Sequence, residues 1–142
     1  MLYVAIDPGK NTGMAWAQDR QYLGLETLLI HKAFELFHEL YAQHDLITVV
    51  VEDARKRGCA FKAFEKAQGA GSVKRDSRIW QDFLNDFDSK RVSTIFVAPG
   101  VASTKMDAKP FEKLTGWTKR TSNHSRDAAL LIYSLARIRQ PR

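Results

Sequence analysis

Cysteine is nearly absent from this 142-residue sequence, in which Cys59 is the only one. A single thiol excludes an internal disulfide and any zinc site built from several cysteines. Long apolar runs are also absent, and stretches such as 128–133 are far shorter than the roughly 20 residues that cross a bilayer. No basic segment or cleavage site precedes the apolar stretch at 2–6, so no export signal is expected. We expect one cytoplasmic domain spanning residues 1–142.

Acidic side chains are scarce in the second part of the chain. Residues 55–142 carry 19 Lys and Arg against eight Asp and Glu, whereas residues 1–54 carry three against eight. A basic surface beside a small acidic cluster fits a nuclease, because Lys and Arg neutralise phosphates while carboxylates hold a metal ion. The same charge distribution also fits a solvated basic face that has no partner.

Hydrophobic periodicity predicts five strands and four helical segments. The predicted strands are 2–7, 12–17, 22–29, 47–51 and 93–97. The predicted helices are 31–43, 60–87 with a bend or break at 69–71, 107–114 and 124–138, with a loop at 116–123. The first three strands form an antiparallel meander, and the others alternate with helices. This order predicts an α/β fold with a mixed five-stranded sheet flanked by helices.

The first candidate site is the segment Asp7-Pro8-Gly9-Lys10-Asn11-Thr12-Gly13. Asp7 ends the first strand, where a carboxylate is well placed to bind a metal ion. Glycines two and six residues later allow a tight turn and the approach of a phosphate. The structural alternative is a turn in which Asp7 bonds the following amides. A similar hairpin opens actin-type ATPases, but a 142-residue domain is not expected to enclose a nucleotide as those two-part proteins do.

The second candidate is Glu52, which follows the β-branched run 47–51. If this strand is a parallel neighbour of the first, Glu52 and Asp7 meet at the same edge of the sheet. Asp53 is the rival, but strand alternation directs it to the opposite face, so Glu52 is preferred. The alternative is that both acids merely end the strand and lead into the basic turn 55–57.

The third candidate is the pair His124 and Asp127 at the start of the last helix. Residues three apart lie on one helical face, so both side chains can point at one ion. Asp127 also begins a mostly apolar stripe along this helix. We expect the stripe to pack on the sheet, which would place Asp127 near the edge of the sheet. The alternative is that Asp127 only stabilises the helix dipole. The predicted stripe is Asp127, Leu130, Leu131, Ser134, Leu135 and Ile138.

These three segments resemble, in order, the active-site motifs of RuvC-like Holliday junction resolvases, which belong to the RNase H-like superfamily. The resemblance rests on Asp7-Pro8-Gly9 with Thr12-Gly13, on Val51-Glu52, and on His124-x-x-Asp127-Ala128. The stretch 62–71 is similar to the family's central helix, so the resemblance covers about residues 3–135. It implies a homodimer that binds four-way DNA junctions and cuts two strands with Mg²⁺ or Mn²⁺.

By the same resemblance, Asp7, Glu52 and Asp127 are metal ligands and catalytic residues. His124 lies where family members carry a fourth acid or a histidine. We expect phosphodiester hydrolysis with two metal ions about 3.5–4 Å apart. His124 is either a ligand of the second ion or a general base for the attacking water, and an assisting role is favoured.

Basic residues from 55–91 and 105–126 are expected to hold the DNA backbone. Lys105 lies where family members place a DNA-contacting lysine, and Lys109 or Lys113 matches a second one. The other candidates are Arg55, Lys56, Arg57, Lys119 and Arg120. The sequence departs from the family in one respect. Family members often carry an aromatic wedge soon after the glutamate, whereas this sequence has the charged residues 53–57 there. Phe61 is the candidate substitute for the wedge. Two other functions fit the sequence, namely a nuclease for structured RNA and a non-catalytic nucleic-acid-binding domain.

Overall fold

The computed structural model describes residues 1–56, 64–100 and 105–141, without the side chains of 64–70 and 73. The strands are β1 (Leu2–Asp7), β2 (Asn11–Gln18), β3 (Gln21–Leu29), β4 (Ile47–Glu52) and β5 (Val92–Val97). The helices are α1 (Ile30–Gln43), α2 (Phe64–Leu84), α3 (Ala108–Thr115) and α4 (Asn123–Ile132), with a 3₁₀ turn at Ala54–Lys56. None of the helices in these ranges is both long and apolar enough to span a membrane.

The five strands form one sheet in the order β3-β2-β1-β4-β5. The pairs β1–β2 and β2–β3 are antiparallel, whereas β1–β4 and β4–β5 are parallel. The predicted mixed α/β sheet, an antiparallel meander plus two parallel strands, is therefore confirmed. Ile6 pairs with Val51 in the parallel register, so the next residues, Asp7 and Glu52, end neighbouring strands at the same edge.

Helices cover both faces of the sheet. One face carries Val4, Ile6 and Val51 and packs against α1 and α2, where Trp80 is completely buried. Ala5, Ala15 and Val50 lie on the other face and pack against α4 and α3. Because side chains alternate along a strand, Asp7 and Glu52 belong to this second face. The candidate acids therefore share a face with the helix that carries His124.

The prediction for the last helix was wrong at its end, because α4 stops at Ile132 rather than at residue 138. The Tyr22 hydroxyl of β3 donates to the Ala129 carbonyl at 2.6 Å. The amide of Tyr133 bonds the Leu130 carbonyl instead, three residues back. The α-helical ladder therefore ends there, and irregular turns follow. The last turn of α4 is thus also contacted by a side chain 107 positions away in sequence.

The expected break in the long helix was also wrong. Helix α2 runs through residues 69–71 without interruption and ends at Leu84. A glycine inside a helix costs only about 1 kcal/mol, which tertiary packing can offset. Trp80 and Leu84 supply that packing, since both are buried against the sheet. The predicted start at residue 60 lies outside the described residues.

The predicted buried stripe of α4 was wrong at two of its six members, Ser134 and Leu135. Leu135 is 44% exposed, Ser134 is exposed and Leu131 is half-buried, although Leu130 and Ile138 are buried. The small side chains Ala128 and Ala129 are also buried in the cluster between α4 and the sheet, beside Leu130 and Ile132. Small residues line the sheet beneath the helix as well, so helix and sheet approach closely. The buried residues of the first turns are Ser125, Arg126, Ala128 and Ala129.

Candidate active site

Asp7 and His124 meet at the end of β1. The Nδ1 atom of His124 lies 3.4 Å from Oδ2 of Asp7. The Asp7 side chain is 15% exposed, while the imidazole is 54% exposed and open to a substrate. The structure thus brings together two predicted site residues that are 117 positions apart in sequence.

Gly13 allows this meeting. It pairs with Asp7 across the β1–β2 ladder, directly beneath the first turn of α4. A Cβ atom at position 13 would overlap the backbone carbonyl of His124, so only glycine lets the helix come this close. Neither Gly9 nor Gly13 has a positive φ, so the turn itself does not require them. The sequence had suggested that these glycines serve a tight turn and a phosphate.

Hydroxyl groups fix the start of α4 on the sheet. The Ser122 side chain accepts from the Ser125 amide at 3.1 Å, and the Ser125 hydroxyl accepts from the Ser122 amide at 3.0 Å. The Ser122 hydroxyl also hydrogen-bonds the hydroxyl of Thr27. Thr27 lies on β3 and pairs with Gly13 of β2. This reciprocal cap holds His124 in register with Asp7. The sequence signal was Ser122-x-x-Ser125, a weak form of the capping box.

Two more predicted residues, Asp127 and Lys105, act on the pKa of Asp7 through their charges. Burial raises the pKa of Asp7, and the negative charge of Asp127 raises it further. The hydrogen bond to His124 and the charges of His124 and Lys105 oppose this shift in the pKa of Asp7. Asp127 is half-buried one turn beyond His124, and Lys105 is exposed. Both charges therefore lie within electrostatic reach of the Asp7 carboxylate.

The two acids after β4 have different environments. Glu52 is half-buried at the end of the strand beside Asp7. Asp53 is buried and binds the guanidinium of Arg55 through two contacts of 2.8 Å. These hydrogen bonds lower the pKa of Asp53. The Asp53 carboxylate is thus occupied by Arg55 within the turn. This agrees with the choice of Glu52 over Asp53 as the candidate metal ligand.

The predicted DNA-contacting residues fall into two groups. Arg55 is engaged inside the molecule, since it binds Asp53 and also donates to Oε1 of Gln81 at 2.7 Å. Lys56 is exposed and donates to the Phe96 carbonyl at 2.9 Å. Arg57 and Phe61 lie outside the described residues. The remaining candidates are all exposed on or near α3, namely Lys105, Lys109, Lys113, Lys119 and Arg120.

Two arginines in the ranges expected to hold DNA have structural roles instead. Arg91 is only half-buried, but it donates to the carbonyls of Tyr41, His44 and Asp45 at the end of α1. Arg126 is buried in α4 and donates to the Met106 carbonyl at 2.8 Å and to Thr121. Sequence alone does not separate these arginines from exposed ones.

Arg126 ties the loops on both sides of α3 to the helix that carries His124. We expect Arg126→Met to lower the free energy of unfolding by about 3 kcal/mol, because the partly buried carbonyl groups of Met106 and Thr121 lose their donor. Urea denaturation would measure this loss. Arg120→Met is the matched control, since Arg120 is exposed, and it should change stability by less than about 0.5 kcal/mol. Equal effects of the two substitutions would contradict the structural role of Arg126.

Within residues 1–56, 64–100 and 105–141, no three side chains of the His, Cys, Asp or Glu type form a group that could hold a metal ion. The register places Glu52 beside Asp7 at one edge of the sheet, His124 contacts Asp7, and the charge of Asp127 acts on the same carboxyl.

No protein-family model matches the sequence, and no curated protein matches it either. The function therefore has to be inferred from the side chains themselves.

Proposed function

We propose that this protein is a Mg²⁺-dependent endonuclease of the RNase H-like fold that cuts branched DNA, in the manner of RuvC-like resolvases. The observation that carries the proposal is the docking of α4 on β1 and β2. That docking holds His124 against Asp7 and brings the charge of Asp127 close to the same carboxylate. Exposed lysines of α3 and its flanking loops lie on this side of the sheet.

The donor set fits a hard divalent cation. Asp7, Glu52 and Asp127 would supply carboxylate oxygens, which Mg²⁺ and Mn²⁺ favour. Asp7 is mostly buried and close to a second negative charge, and both effects raise its pKa. A bound cation would relieve both effects, because it compensates negative charge inside a region of low dielectric. This electrostatic cost supports the assignment of a cation site.

Bound metal ions would supply an activated water and positive charge at the scissile phosphate. The protein's own contribution is the orientation of His124. Its Nδ1 atom faces Asp7, which favours the tautomer with a proton on Nδ1 and leaves Nε2 to accept a proton from water. We therefore assign His124 the assisting role of a general base, oriented by Asp7.

Exposed cations near the site would hold the DNA backbone. Lys105 is close enough to Asp7 for its charge to lower the pKa of that carboxyl. Lys109 and Lys113 are exposed on α3, one turn apart. Phosphate contacts of this kind position DNA without reading its sequence. Symmetric cutting of a four-way junction needs two copies of the site, so we include a homodimer in the proposal.

The substrate class is tested by incubating the full-length protein and Mg²⁺ with end-labelled four-way junctions, flaps, duplexes and structured RNA. We expect cleavage of the junction in preference to the others, with two symmetric incisions. Preferred cleavage of RNA would support the structured-RNA nuclease instead. Binding of every substrate without any cleavage, in Mg²⁺ and in Mn²⁺, would contradict an enzymatic role.

The lysines of α3 give a separate prediction for DNA binding. The double substitution Lys109→Ala and Lys113→Ala should weaken junction binding and lower its logarithmic salt dependence by about 1–2, because roughly one counterion is released per phosphate contact. Fluorescence anisotropy across a salt series measures both quantities. Lys32→Ala is the control, since Lys32 is on α1, which packs on the opposite face of the sheet. An equal loss in the control would show that the effect is one of net charge.

A further inference from the structure

A second basic site lies at the other end of α4 from Asp7. A pocket of about 730 Å³ is lined by Arg20, Tyr133, Ile138, Arg139 and Gln140. Its two walls are the β2–β3 turn and the segment that follows α4. The Arg139 amide donates to the Arg20 carbonyl at 3.0 Å, which ties the walls together. The pocket is thus held by defined backbone contacts.

The described residues that line this pocket include two arginines and no acidic side chain. In the described part of the chain, neither Arg20 nor Arg139 forms an ion pair, and Asp19 beside Arg20 forms none with it. The Nε atom of Arg20 donates to the Arg137 carbonyl at 3.1 Å, which leaves the terminal nitrogens for a ligand. Two guanidinium groups that line one pocket supply the planar N–H donors that bind phosphate oxygens.

The backbone at Arg20 is strained for an arginine. Asp19 and Arg20 have φ values of 53° and 65°, in the left-handed region where a two-residue hairpin turn favours Asn-Gly or Gly-Gly. Arg137, whose carbonyl holds Arg20, also has a positive φ of 52°. Stability alone would favour glycine at position 20. A side chain kept at a strained position indicates a function.

We propose that this pocket binds a backbone phosphate of the same nucleic acid that is cut at Asp7. Gly13, which pairs with Asp7, lies seven residues before Arg20 along β2 and its turn. At about 3.3 Å per residue this is a span of up to about 23 Å. At about 3.4 Å of rise per nucleotide, an extended strand would reach the pocket about six to seven nucleotides from the cut. This inference rests on the proposed function, because it takes nucleic acid as the ligand.

The test compares Arg20→Gly and Arg139→Gln with the wild-type protein, and uses Asp19→Gly as the matched control in the same turn. Affinity for a DNA duplex is measured in EDTA over a salt series, so that no cleavage is required. We expect each arginine substitution to weaken binding about five- to tenfold and to lower the salt slope by about 1. Arg20→Gly should at the same time keep or raise the melting temperature, because glycine relieves the strained φ. Asp19→Gly should keep wild-type affinity.

Wild-type duplex affinity and salt slope in both arginine variants would overturn the proposal. A second arm follows the arginine side-chain NMR signals of Arg20 and Arg139 while inorganic phosphate is added. Phosphate-dependent shifts without any loss of duplex affinity would identify a small free anion as the ligand, and would also overturn it. Failure of the proposed nuclease is a separate result, because cleavage is not measured in either arm.

Discussion

Replacing Asp7 with asparagine is expected to abolish cleavage while making the folded protein more stable. Activity should fall by more than about 100-fold, since even changes to groups that support metal ligands cost 10- to 100-fold. The free energy of unfolding at neutral pH should rise by on the order of 1 kcal/mol, as is common when a functional residue is removed. Asparagine removes a mostly buried charge and its repulsion from Asp127.

The gain in stability should depend on pH in one direction. Burial raises the pKa of Asp7 above that of the unfolded chain. Between these two pKa values the folded state binds more protons, so the contribution of Asp7 to stability is greatest below the unfolded pKa. That contribution is lost as the pH rises through the folded pKa. The difference between Asp7→Asn and wild type should therefore be small near pH 3 and reach its full size at neutral pH.

Urea denaturation at a series of pH values measures this dependence. Asp45→Asn is the control, because Asp45 is exposed and its substitution should change stability by less than about 0.5 kcal/mol. An Asp7→Asn protein that is less stable than wild type at neutral pH would contradict the electrostatic account of the site.

The second large effect is expected from Gly13→Ala. The new Cβ would overlap the carbonyl group of His124, and backbone atoms on both sides leave little room for adjustment. The start of α4 must then move off the sheet and carry His124 away from Asp7. We expect a loss of about 1–3 kcal/mol in stability from this overpacking. Activity should fall by about 100-fold, as for a misplacement of about 1 Å in a catalytic site.

Gly71→Ala is the matched control for this substitution. Gly71 lies in α2, and a Cβ there would meet nothing within 4 Å. Gly71→Ala should raise the free energy of unfolding by up to about 1 kcal/mol, because alanine is the better helix former. It should leave cleavage unchanged. Urea denaturation and cleavage assays on both variants check the pair. Wild-type stability and activity in Gly13→Ala would show that α4 does not depend on this close approach.

The sheet and the position of two acids could be predicted from local patterns. Alternating side chains defined the strands, and the β-branched run before Glu52 indicated a central parallel strand. Parallel strands end at the same edge, so Asp7 and Glu52 were expected side by side, as the register shows. These predictions succeeded because each depends on periodicity within one element.

The packing of α4 could not be predicted, because it depends on the surface beneath the helix. Ser134 and Leu135 were predicted to lie in the stripe that packs on the sheet, but both are exposed. The sheet presents Gly13, Ala5 and Ala15 there, so the alanines of α4 pack closely and Leu135 is left exposed. The last turn of α4 also accepts a hydrogen bond from the Tyr22 hydroxyl, a contact between distant segments that no local pattern reveals.

The sequence also could not predict which basic residues are buried and which are exposed. Arg126 and Lys105 are both basic residues in the segment expected to hold DNA, yet one is buried among carbonyl groups and the other is exposed. Burial of an arginine depends on whether the fold surrounds it with acceptors. The predicted DNA contacts therefore remain predictions for the exposed lysines.

The central claim is that acids from three separate elements together form a site for divalent cations. Calorimetric titration of Mn²⁺ into the wild-type protein and into Asp7→Asn, Glu52→Gln and Asp127→Asn tests it directly, without any substrate. We expect the wild-type protein to bind Mn²⁺ and each substitution to weaken that binding by at least about tenfold, the scale on which even supporting groups affect metal affinity. Wild-type affinity in all three variants, or no binding of Mn²⁺ by the wild-type protein, would contradict the claim.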